Sequence, residues 1–453
     1  MNIRLNRCVF LRHAGDESIV WNPRESGFSV FKDAQVFLKE LKRDWRDEKV
    51  MLKNIAKKFD CDAGQVYEDF RGIVKELEDQ RFVLIEGLTE SVGSGELSDI
   101  EERGGLGQTS MPDNMDDMLR FCERHNIVRA LHLDLTDACT EKCVHCYVPQ
   151  KKHFISYEMA EKVLKEFREQ NGFTVYLTGG ECMLHPDFKR ICELCVELNL
   201  NMIVMTNMTC CDAEMIKFLR KVDPQYLNVS LYSMKPEEHD AVTRHPGSWQ
   251  KTMDAILACE KAGVHIRIAT PLLKENKEAF VELMKFTTEH RMHLIPSADI
   301  VAMSNHDCAN TVHACSPEEL KCVMTKFKGI FERGWDGAMP KCEDKVCDIG
   351  TARIYVNAKG DYYPCDSMHE YVLGNVATHT LQEVWRGEKL EYLRGLKNRD
   401  FGKCASCENR PWCKVCPAAN FNATGDIFKT ASGRCEHALV VREVYGNSVT
   451  RDA

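Results

Sequence analysis

The spacing of apolar and polar residues divides the chain into three regions. In the first, residues 1 to about 88, short strand-like runs that end in turn signals precede segments whose apolar residues recur at the helical period. The strand-like runs are RCVFLR, SIVWN and FSVF, and the helical segments are KDAQVFLKELKRD, DEKVMLKNIAKKF and DAGQVYEDFRGIVKELEDQ. A small sheet followed by three helices predicts a winged helix-turn-helix domain at 1–88.

The chain after this domain is rich in Gly, Ser and acidic residues. It reads TESVGSGELSDIEERGGLGQTSMPD over 89–113. Such a composition predicts a flexible linker, which we assign to 89–115.

Strands and helices alternate in the next region, residues 116–325. The predicted strands are VRALHLDLT, TVYLTGG, NMIVMTNM, YLNVSLYS, VHIRIATPL and HLIPSADIV, with helical stretches such as SYEMAEKVLKEFREQ between them. This alternation predicts an α/β fold in which crossover helices connect the strands of a parallel sheet, either doubly wound or as a partial barrel. In both architectures the functional groups lie at the carboxyl ends of the strands.

Composition and charge narrow the function. The chain has 453 residues and a formal net charge of −9, and residues 1–88 carry 16 Lys and Arg against 16 Asp and Glu. A DNA-binding winged helix normally has a basic face, so the neutral domain argues against a nucleic-acid partner. The sequence has no run of 18 apolar residues and no signal-peptide core, which predicts a cytoplasmic protein without a membrane partner.

Cysteine is the residue type that points to chemistry. The chain contains 23 cysteines, and in a reducing cytoplasm such a number indicates metal ligation rather than disulfides. Cys139, Cys143 and Cys146 follow the first predicted strand of the parallel sheet with the spacing C-x3-C-x2-C. Three thiolates can hold a four-iron cluster and leave one iron open for a substrate or cofactor. A zinc site is the alternative, but it needs a distant fourth ligand.

The segment CTEKCVHC, which holds these cysteines, resembles the signature of the radical S-adenosylmethionine (SAM) superfamily. The resemblance implies a partial (β/α)6 barrel similar to a TIM barrel, in which a four-iron cluster binds SAM and cleaves it to a 5′-deoxyadenosyl radical. Family members usually have an aromatic residue near the adenine at the position of His145. His145 is therefore a candidate SAM contact.

Segments at the ends of the following strands resemble the other SAM-binding motifs of this family. TGGE resembles the glycine-rich segment that holds the SAM amino group, and its two glycines allow close backbone approach. TNMT and NVSLYS resemble segments that contact the ribose or carboxylate, and an arginine after the fourth strand commonly pairs with that carboxylate. The residues that these motifs imply are Thr178, Gly179, Gly180, Glu181, Asn207, Ser230 and Arg244.

The chain departs from the family pattern at Cys182. Where the family often has GGEPLLHP, this sequence reads GGECMLHP, which puts a thiol beside the predicted SAM pocket. Two interpretations follow: a catalytic hydrogen-atom donor, or a small buried residue.

A second group of cysteines lies in the C-terminal region, which we assign to 326–453. Their order and spacing resemble the SPASM extension of radical SAM enzymes, which carries two auxiliary four-iron clusters, whereas paired zinc ribbons are the alternative. The resemblance assigns the outer cluster to Cys404, Cys407, Cys413 and Cys435. It assigns the inner cluster to Cys347, Cys365 and Cys416, with Cys342 as a candidate fourth ligand.

Because a region that resembles a radical SAM-SPASM enzyme follows it, the neutral domain at 1–88 resembles a RiPP recognition element. Such an element binds the leader segment of a ribosomally made precursor peptide. Its binding mode is β-augmentation, in which an extended leader adds a strand to an exposed sheet edge. We expect the leader to pack also against the third helix, around Val66, Phe70, Val74 and Leu77. The linker would raise the effective concentration of the peptide at the active site.

Together these resemblances predict a peptide maturase that removes a hydrogen atom from a precursor peptide and forms an oxidative cross-link. The favoured product is a thioether between a cysteine sulfur and a carbon. The implied cofactors are SAM and three 4Fe-4S clusters, one SAM-binding and two auxiliary, with a flavodoxin or ferredoxin-type electron donor. The alternatives are a carbon–carbon or ether link, maturation of a folded protein such as a sulfatase, and a non-catalytic zinc-binding regulator.

Overall fold

The computed structural model describes residues 2–24, 27–86, 115–149, 151–331 and 337–449. The described residues form two compact units, one within 1–129 and 199–201 and one within 130–198 and 202–453. The linker predicted at 89–115 lies outside the described residues except for Met115. None of the described helices is long and apolar enough to cross a membrane.

The described part of the first unit combines small antiparallel sheets with helices. Its strands are β1 (Asn2–Leu5), β2 (Phe10–Ala14), β3 (Glu17–Asn22), β4 (Gly27–Lys32), β5 (Arg46–Asp47) and β6 (Val83–Ile85). Its helices are α1 (Gln35–Leu38), α2 (Glu48–Phe59), α3 (Ala63–Asp79) and α4 (Met115–Arg124). One sheet has the order β2–β3–β4 and the other the order β5–β1–β6.

The predicted strands and helices of this unit are found, with two differences. The segment predicted as the first helix, 32–44, is helical only over α1, which has no side-chain cap at its start. By contrast, Asp47 and Asp62 cap α2 and α3 by accepting hydrogen bonds from Val50 N and Gln65 N. The second sheet was missed because β5 and β6 are too short to show an alternating pattern. The winged helix-turn-helix assignment stays a prediction.

The inner face of α3 corrects one expectation about leader binding. Val66, Phe70, Val74 and Leu77 are all buried, and they belong to the hydrophobic core of the first unit itself. Apolar side chains at this helical spacing are explained by packing within the unit. A leader peptide that reached α3 would have to contact other side chains of this helix.

The second unit is built on a long sheet. Its strands are β7 (Ala130–Thr136), β8 (Thr174–Gly179), β9 (Asn201–Thr206), β10 (Tyr226–Ser230), β11 (Ile266–Pro271), β12 (His293–Ser297), β13 (Arg353–Val356), β14 (Asp361–Tyr363) and β15 (Gly374–Asn375). Strands β12 to β7 lie side by side in reverse chain order, and β13, β14 and β15 continue the sheet beyond β7. The pairs β7–β8, β9–β10, β10–β11, β11–β12 and β13–β7 are parallel.

Helices connect these strands as predicted. They are α5 (Tyr157–Glu169), α6 (Phe188–Glu197), α7 (Ala213–Val222), α8 (Pro236–Thr243), α9 (Ser248–Lys261), α10 (Phe280–Glu289), α11 (Pro317–Lys326), α12 (Lys328–Phe331), α13 (Leu381–Trp385), α14 (Glu388–Arg394), α15 (Pro417–Thr424) and α16 (Arg434–Val449). Short 3-10 turns lie at Cys182–Leu184, Ala309–His313, Asn398–Cys404 and Arg410–Trp412.

The strand order argues against one of the two predicted architectures, the doubly wound sheet. Strands β7 to β12 follow one another without the reversal that defines a doubly wound sheet. The α/β fold with a parallel core is therefore confirmed, while its closure into a partial barrel stays a prediction. Because six of the seven residues of β7 and half of those of β8 are buried, the loops at the carboxyl ends of these strands start from fixed positions.

Candidate functional site

The loop that carries the first three cysteines follows β7 directly. It holds Cys139, Cys143 and Cys146, and all three are partly buried. Burial raises the pKa of each thiol, that of Cys139 to about 12. Thiols in such surroundings become thiolates when a positively charged metal centre binds them, so the site favours a metal over free thiolates.

Glycines at the end of β8 form one wall of this loop. Gly180 N donates to Thr136 O at 2.7 Å, and Glu181 N donates to Ala138 O at 2.9 Å. A Cβ on Gly179 would lie 2.1 Å from Thr136 O, and one on Gly180 would lie 2.2 Å from Ala138 O. Only glycine therefore permits this backbone contact, and Gly179 also has a φ of +126°. Thr178 precedes them in β8.

The C-terminal end of α8 forms the opposite wall. Lys142 N and Val144 N each donate at 2.9 Å to the carbonyls of Thr243 and Val242. Arg244 comes next, exposed and with a left-handed φ of +52°. The cysteine loop is thus bonded through its main chain on both sides, and Arg244 begins the segment beside it.

Glu181 is fully buried, and its carboxylate is bound by protein donors. It accepts hydrogen bonds from Thr206 Oγ1 at 2.8 Å, Asn207 N at 2.8 Å and Met183 N at 3.0 Å. The Asn207 side chain in turn lies with Nδ2 3.6 Å from Cys139 Sγ. In this structure Glu181 positions Asn207 next to a cysteine, and a direct contact of either residue with SAM stays a prediction.

Tyr232 is a residue of this site that the sequence reasoning missed. Its hydroxyl lies 3.6 Å from Cys143 Sγ, and its ring meets that of His145 edge-on at 5.2 Å. Burial lowers the pKa of His145 to about 4, so the ring is neutral near pH 7. Tyr232 is the tyrosine of the segment NVSLYS and lies two residues after Ser230, which is half-buried at the end of β10. An aromatic residue in this motif is the sequence feature that could have identified Tyr232.

Cys182 begins a 3-10 turn after the glycine segment. It is fully buried, and its thiol donates to Met205 O at 3.3 Å. Burial holds the pKa of this thiol well above its usual value. A hydrogen-atom donor must reach the substrate, so this environment favours the interpretation of Cys182 as a small packed residue.

The cysteines assigned to the outer auxiliary cluster line one cavity of about 50 Å³. The set consists of Cys404, Cys407, Cys413 and Cys435, and Cys416 also reaches the cavity. Arg410 and Arg434 line it as well, and both guanidinium groups oppose the effect of burial, which raises the pKa of Cys413. Convergent thiols next to fixed positive charges fit an anionic iron–sulfur cluster.

The cysteines assigned to the inner cluster are less uniform. Cys347, Cys365 and Cys416 pack at the edge of one hydrophobic cluster. Burial and then the neighbouring Cys416 raise the pKa of Cys347 to about 11. Cys342 differs because it is exposed, and its carbonyl accepts a hydrogen bond from Arg399 N. Its assignment as fourth ligand stays a prediction.

The described cysteines do not form a ready-made zinc site. Among the described residues, no three His, Cys, Asp or Glu side chains converge as they would around a single metal ion.

A parallel α/β sheet, cysteines at a strand end and a cysteine-rich C-terminal region define an iron–sulfur enzyme class. Residues 133–287 match the radical SAM superfamily, and residues 347–417 match the SPASM iron–sulfur cluster-binding domain. The chain thus contains a radical SAM domain and a SPASM domain, which imply SAM and 4Fe-4S clusters as cofactors, and it is an enzyme. The alternative of a non-catalytic zinc-binding regulator is set aside.

The relatives of this chain differ from one another in function. The AdoMet-dependent heme synthase of Methanosarcina barkeri is 25% identical over 340 residues, which cover 67% of this chain and 95% of that protein. The subtilosin biosynthesis protein AlbA of Bacillus subtilis is 27% identical over 147 residues, 32% of this chain and 33% of AlbA. In fold, the chain resembles SuiB of Streptococcus suis with a TM-score of 0.59 and 14% identity, covering 96% of this chain and 99% of SuiB.

Proposed function

We propose that this protein is a maturase of a ribosomally made peptide and that it forms an oxidative cross-link, with a cysteine thioether as the favoured product. The observation that carries the proposal is the loop of three cysteines fixed between the glycine segment of β8 and the end of α8. When bound, SAM and the cluster supply a 5′-deoxyadenosyl radical that removes a hydrogen atom from a carbon of the peptide.

The chain's own residues have distinct tasks in this proposal. Cys139, Cys143 and Cys146 would hold the SAM-binding cluster. The backbone of Gly179 and Gly180 would hold the SAM amino group, and Arg244 would bind the SAM carboxylate. The SPASM cysteines would hold two further clusters, which gives three in all.

The SPASM relatives support a peptide as the substrate. SuiB, whose fold matches 96% of this chain, has been solved bound to its precursor peptide SuiA. AlbA is a biosynthesis protein of the bacteriocin subtilosin. The match to the heme synthase leaves a third of the chain uncovered. A substrate without a leader peptide would not explain the function of the first unit.

In the first unit, the sheet β2–β3–β4 offers a place for the leader. Strands β2 and β4 each pair only with β3 among the described strands, so each lies at an edge of the sheet where a further strand could be added. Val30 on β4 is 37% exposed and could anchor an added strand. The domain at 1–88 would thus act as a recognition element, joined to the catalytic core by the segment 89–115.

A heme-forming reaction is the second candidate, because the heme synthase is matched over 95% of its length. The two candidates differ in substrate, so one coexpression experiment separates them. The protein is expressed with the small open reading frame beside its gene, and the peptide is analysed by mass spectrometry. We expect the loss of two hydrogens per link; an unmodified peptide together with heme formation from a tetrapyrrole would overturn the proposal.

Deletion of residues 1–88 tests the role of the first unit. We expect the truncated enzyme to cleave SAM but to modify the peptide at least about tenfold more slowly, since the leader no longer raises the local peptide concentration. The matched control supplies the leader-free peptide to both enzymes, which should then react alike. Equal modification of the full-length peptide would show that the first unit does not bind the leader.

A further inference from the structure

A cavity of about 110 Å³ opens at the carboxyl ends of β7 and β8. Thr136 and Gly179 line it from these strands, while Ser304 and His369 line it from loops. Gly179 also belongs to the glycine segment against the cysteine loop. The cavity therefore lies next to the predicted SAM site, where a substrate must come to react.

His369 is held in this cavity by Asp134 of β7. Its Nε2 lies 3.1 Å from Asp134 Oδ2, and the same oxygen accepts a 2.8 Å hydrogen bond from the hydroxyl of Tyr363. The His369 and Tyr363 rings stack with centroids 4.5 Å apart. The carboxylate thus fixes the position of the imidazole, and the tyrosine ring fixes its plane.

The hydrogen-bond network assigns the tautomer of His369. An ionised carboxylate can only accept hydrogen bonds, so the proton of the neutral imidazole must be on Nε2. The lone pair is then on Nδ1. This atom is buried and has no hydrogen-bond partner among the described residues. His369 therefore presents an unused base beside the predicted SAM site.

Ser304 shows the same unusual feature at the same cavity. Its Oγ is buried and has no hydrogen-bond partner within the described ranges, although its backbone N donates to Tyr147 O at 2.8 Å. Buried polar atoms are normally paired, so each exception needs an explanation. His369 and Ser304 both line this cavity, and a small shift of either side chain would let a ligand with a proton to give and a lone pair to offer pair with these two buried atoms.

We propose that His369 is the general base that takes the proton from the substrate cysteine thiol, and that Asp134 is its positioning residue. In this step the S–H bond breaks, an Nδ1–H bond forms, and the electron pair stays on sulfur as a thiolate. The Asp134 carboxylate offsets the charge of the imidazolium, and the Ser304 hydroxyl donates to the thiolate. The inference rests on the proposed peptide cross-linking.

Other charged groups also line the cavity and could influence this proton transfer. They are Asp137, Lys151, Lys359 and Glu370. Lysine side chains would favour the thiolate and carboxylates would oppose it, so these groups shift the pH at which the base works without replacing it. The test must therefore compare pH profiles and not a single rate.

The first measurement is the amount of cross-linked peptide formed per 5′-deoxyadenosine. We expect His369→Gln to lower this ratio about 100-fold, the range for loss of a general base. Asp134→Asn should lower it in the same direction, because an asparagine amide can donate to Nε2 and reverse the tautomer. His379→Gln is the control, since His379 is exposed and is not among the residues that line the cavity.

Acidification should reduce the ratio in the wild type and in His379→Gln, because a protonated imidazole is no base. In His369→Gln this dependence should be lost. A His369→Gln variant with the wild-type ratio and the wild-type pH profile would overturn the proposal.

The second measurement is binding to the holoenzyme, and it needs no turnover. The probe is the peptide from the neighbouring reading frame, made with its cysteine or with serine in its place. We expect the wild type to bind the cysteine peptide about tenfold more tightly than the serine peptide, and His369→Gln to lose this difference. Equal preferences in both enzymes would overturn the role of His369. A wild type that shows the preference but removes no hydrogens would overturn only the proposed function.

Discussion

The two cysteine sites of this protein differ in how the chain holds their cysteines in place. Cys139, Cys143 and Cys146 lie within eight residues, on a loop whose main chain is bonded to the glycine segment on one side and to the end of α8 on the other. The SPASM cysteines are spread over 347–435 on loops, 3-10 turns and helix ends. The backbone hydrogen bonds of the first site join distant segments, such as Lys142 to Thr243, whereas those between Cys404 and Cys413 join residues only three apart, such as Cys413 N to Arg410 O at 3.2 Å.

This difference indicates how far the structure of each site depends on bound iron. Main-chain hydrogen bonds and glycine contacts hold the first loop whether or not its thiols are ligated. At the second site, thiols line the cavity of about 50 Å³, and the elements around them are short 3-10 turns and helix ends. Metal binding to such a site contributes directly to folding. We therefore expect the first site to be preformed and the second to depend on its clusters.

The largest effect should come from removing the ligands of the first site. The triple variant Cys139→Ala, Cys143→Ala, Cys146→Ala should release no detectable 5′-deoxyadenosine, because no cluster can then bind SAM. With the three clusters that we propose, iron should fall from about twelve to about eight atoms per chain. Chromatography and an iron assay after anaerobic purification measure both quantities.

The matched control is Cys322→Ala, which removes an exposed cysteine on α11 that is assigned to no cluster. It should keep both SAM cleavage and iron content. SAM cleavage by the triple variant would contradict the assignment of the first site.

The clearest difference between the two sites should appear when iron is removed, as a difference in their amide hydrogen exchange. After anaerobic chelation, amide hydrogen exchange in 404–416 should accelerate about 100-fold or more, since this segment loses the centre on which it converges. Exchange in 174–181, which comprises β8 and the glycine segment, should change little because this segment is hydrogen-bonded to β7 and to the cysteine loop. Equal acceleration in both segments, measured by mass spectrometry, would contradict the distinction between a preformed and a metal-dependent site.

The same distinction explains what could be predicted from the sequence. Strands β7 to β12 follow from local periodicity, and the spacing C-x3-C-x2-C is a local signal read directly from the chain. The match of residues 133–287 to the radical SAM superfamily and of 347–417 to the SPASM domain confirms both classes. Local patterns were sufficient because these features are encoded by neighbouring residues.

Contacts between distant segments were not predictable in this way. Asp134 and His369 are 235 residues apart, and Tyr232 reaches Cys143 across 89 residues. Residues Val66 and Phe70 were assigned to leader binding because an apolar helix face looks the same whether it packs inward or binds a partner. Burial, which only the three-dimensional structure reveals, decides between those cases.

Gly180→Ala tests the preformed wall of the first site. The added Cβ would lie 2.2 Å from Ala138 O and 3.0 Å from Cys139 Cβ, so the cysteine loop must move. A displacement of about 1 Å near the reacting groups can lower the rate about 100-fold, and we expect SAM cleavage to fall by that order. Gly329→Ala, which has open space at its Cβ, should cleave SAM at the wild-type rate. Wild-type cleavage by Gly180→Ala would show that the loop is not held by this contact.

The smallest expected effect concerns Asp240, which supports the other wall. Its carboxylate accepts hydrogen bonds from Gly247 N at 2.6 Å, Ser248 Oγ at 2.9 Å and Trp249 N at 2.9 Å, and so ties α8 to the segment that begins at Arg244. Burial raises the pKa of this carboxyl, but these donors outweigh burial and leave it below its usual value.

A carboxyl whose pKa is lowered by folding stabilises the protein above its unfolded pKa, and the stabilisation is lost as the pH falls through the folded pKa. We expect Asp240→Ala to weaken SAM binding about fivefold near neutral pH, the size of a lost helix cap. Acidification should weaken SAM binding to the wild type and bring it towards the affinity of the variant. Asp254→Ala, an exposed carboxylate on α9, is the control and should bind SAM normally. If Asp240→Ala binds SAM as tightly as the wild type at neutral pH, the segment after α8 keeps its position without this carboxylate, and the first site depends on its glycine wall alone.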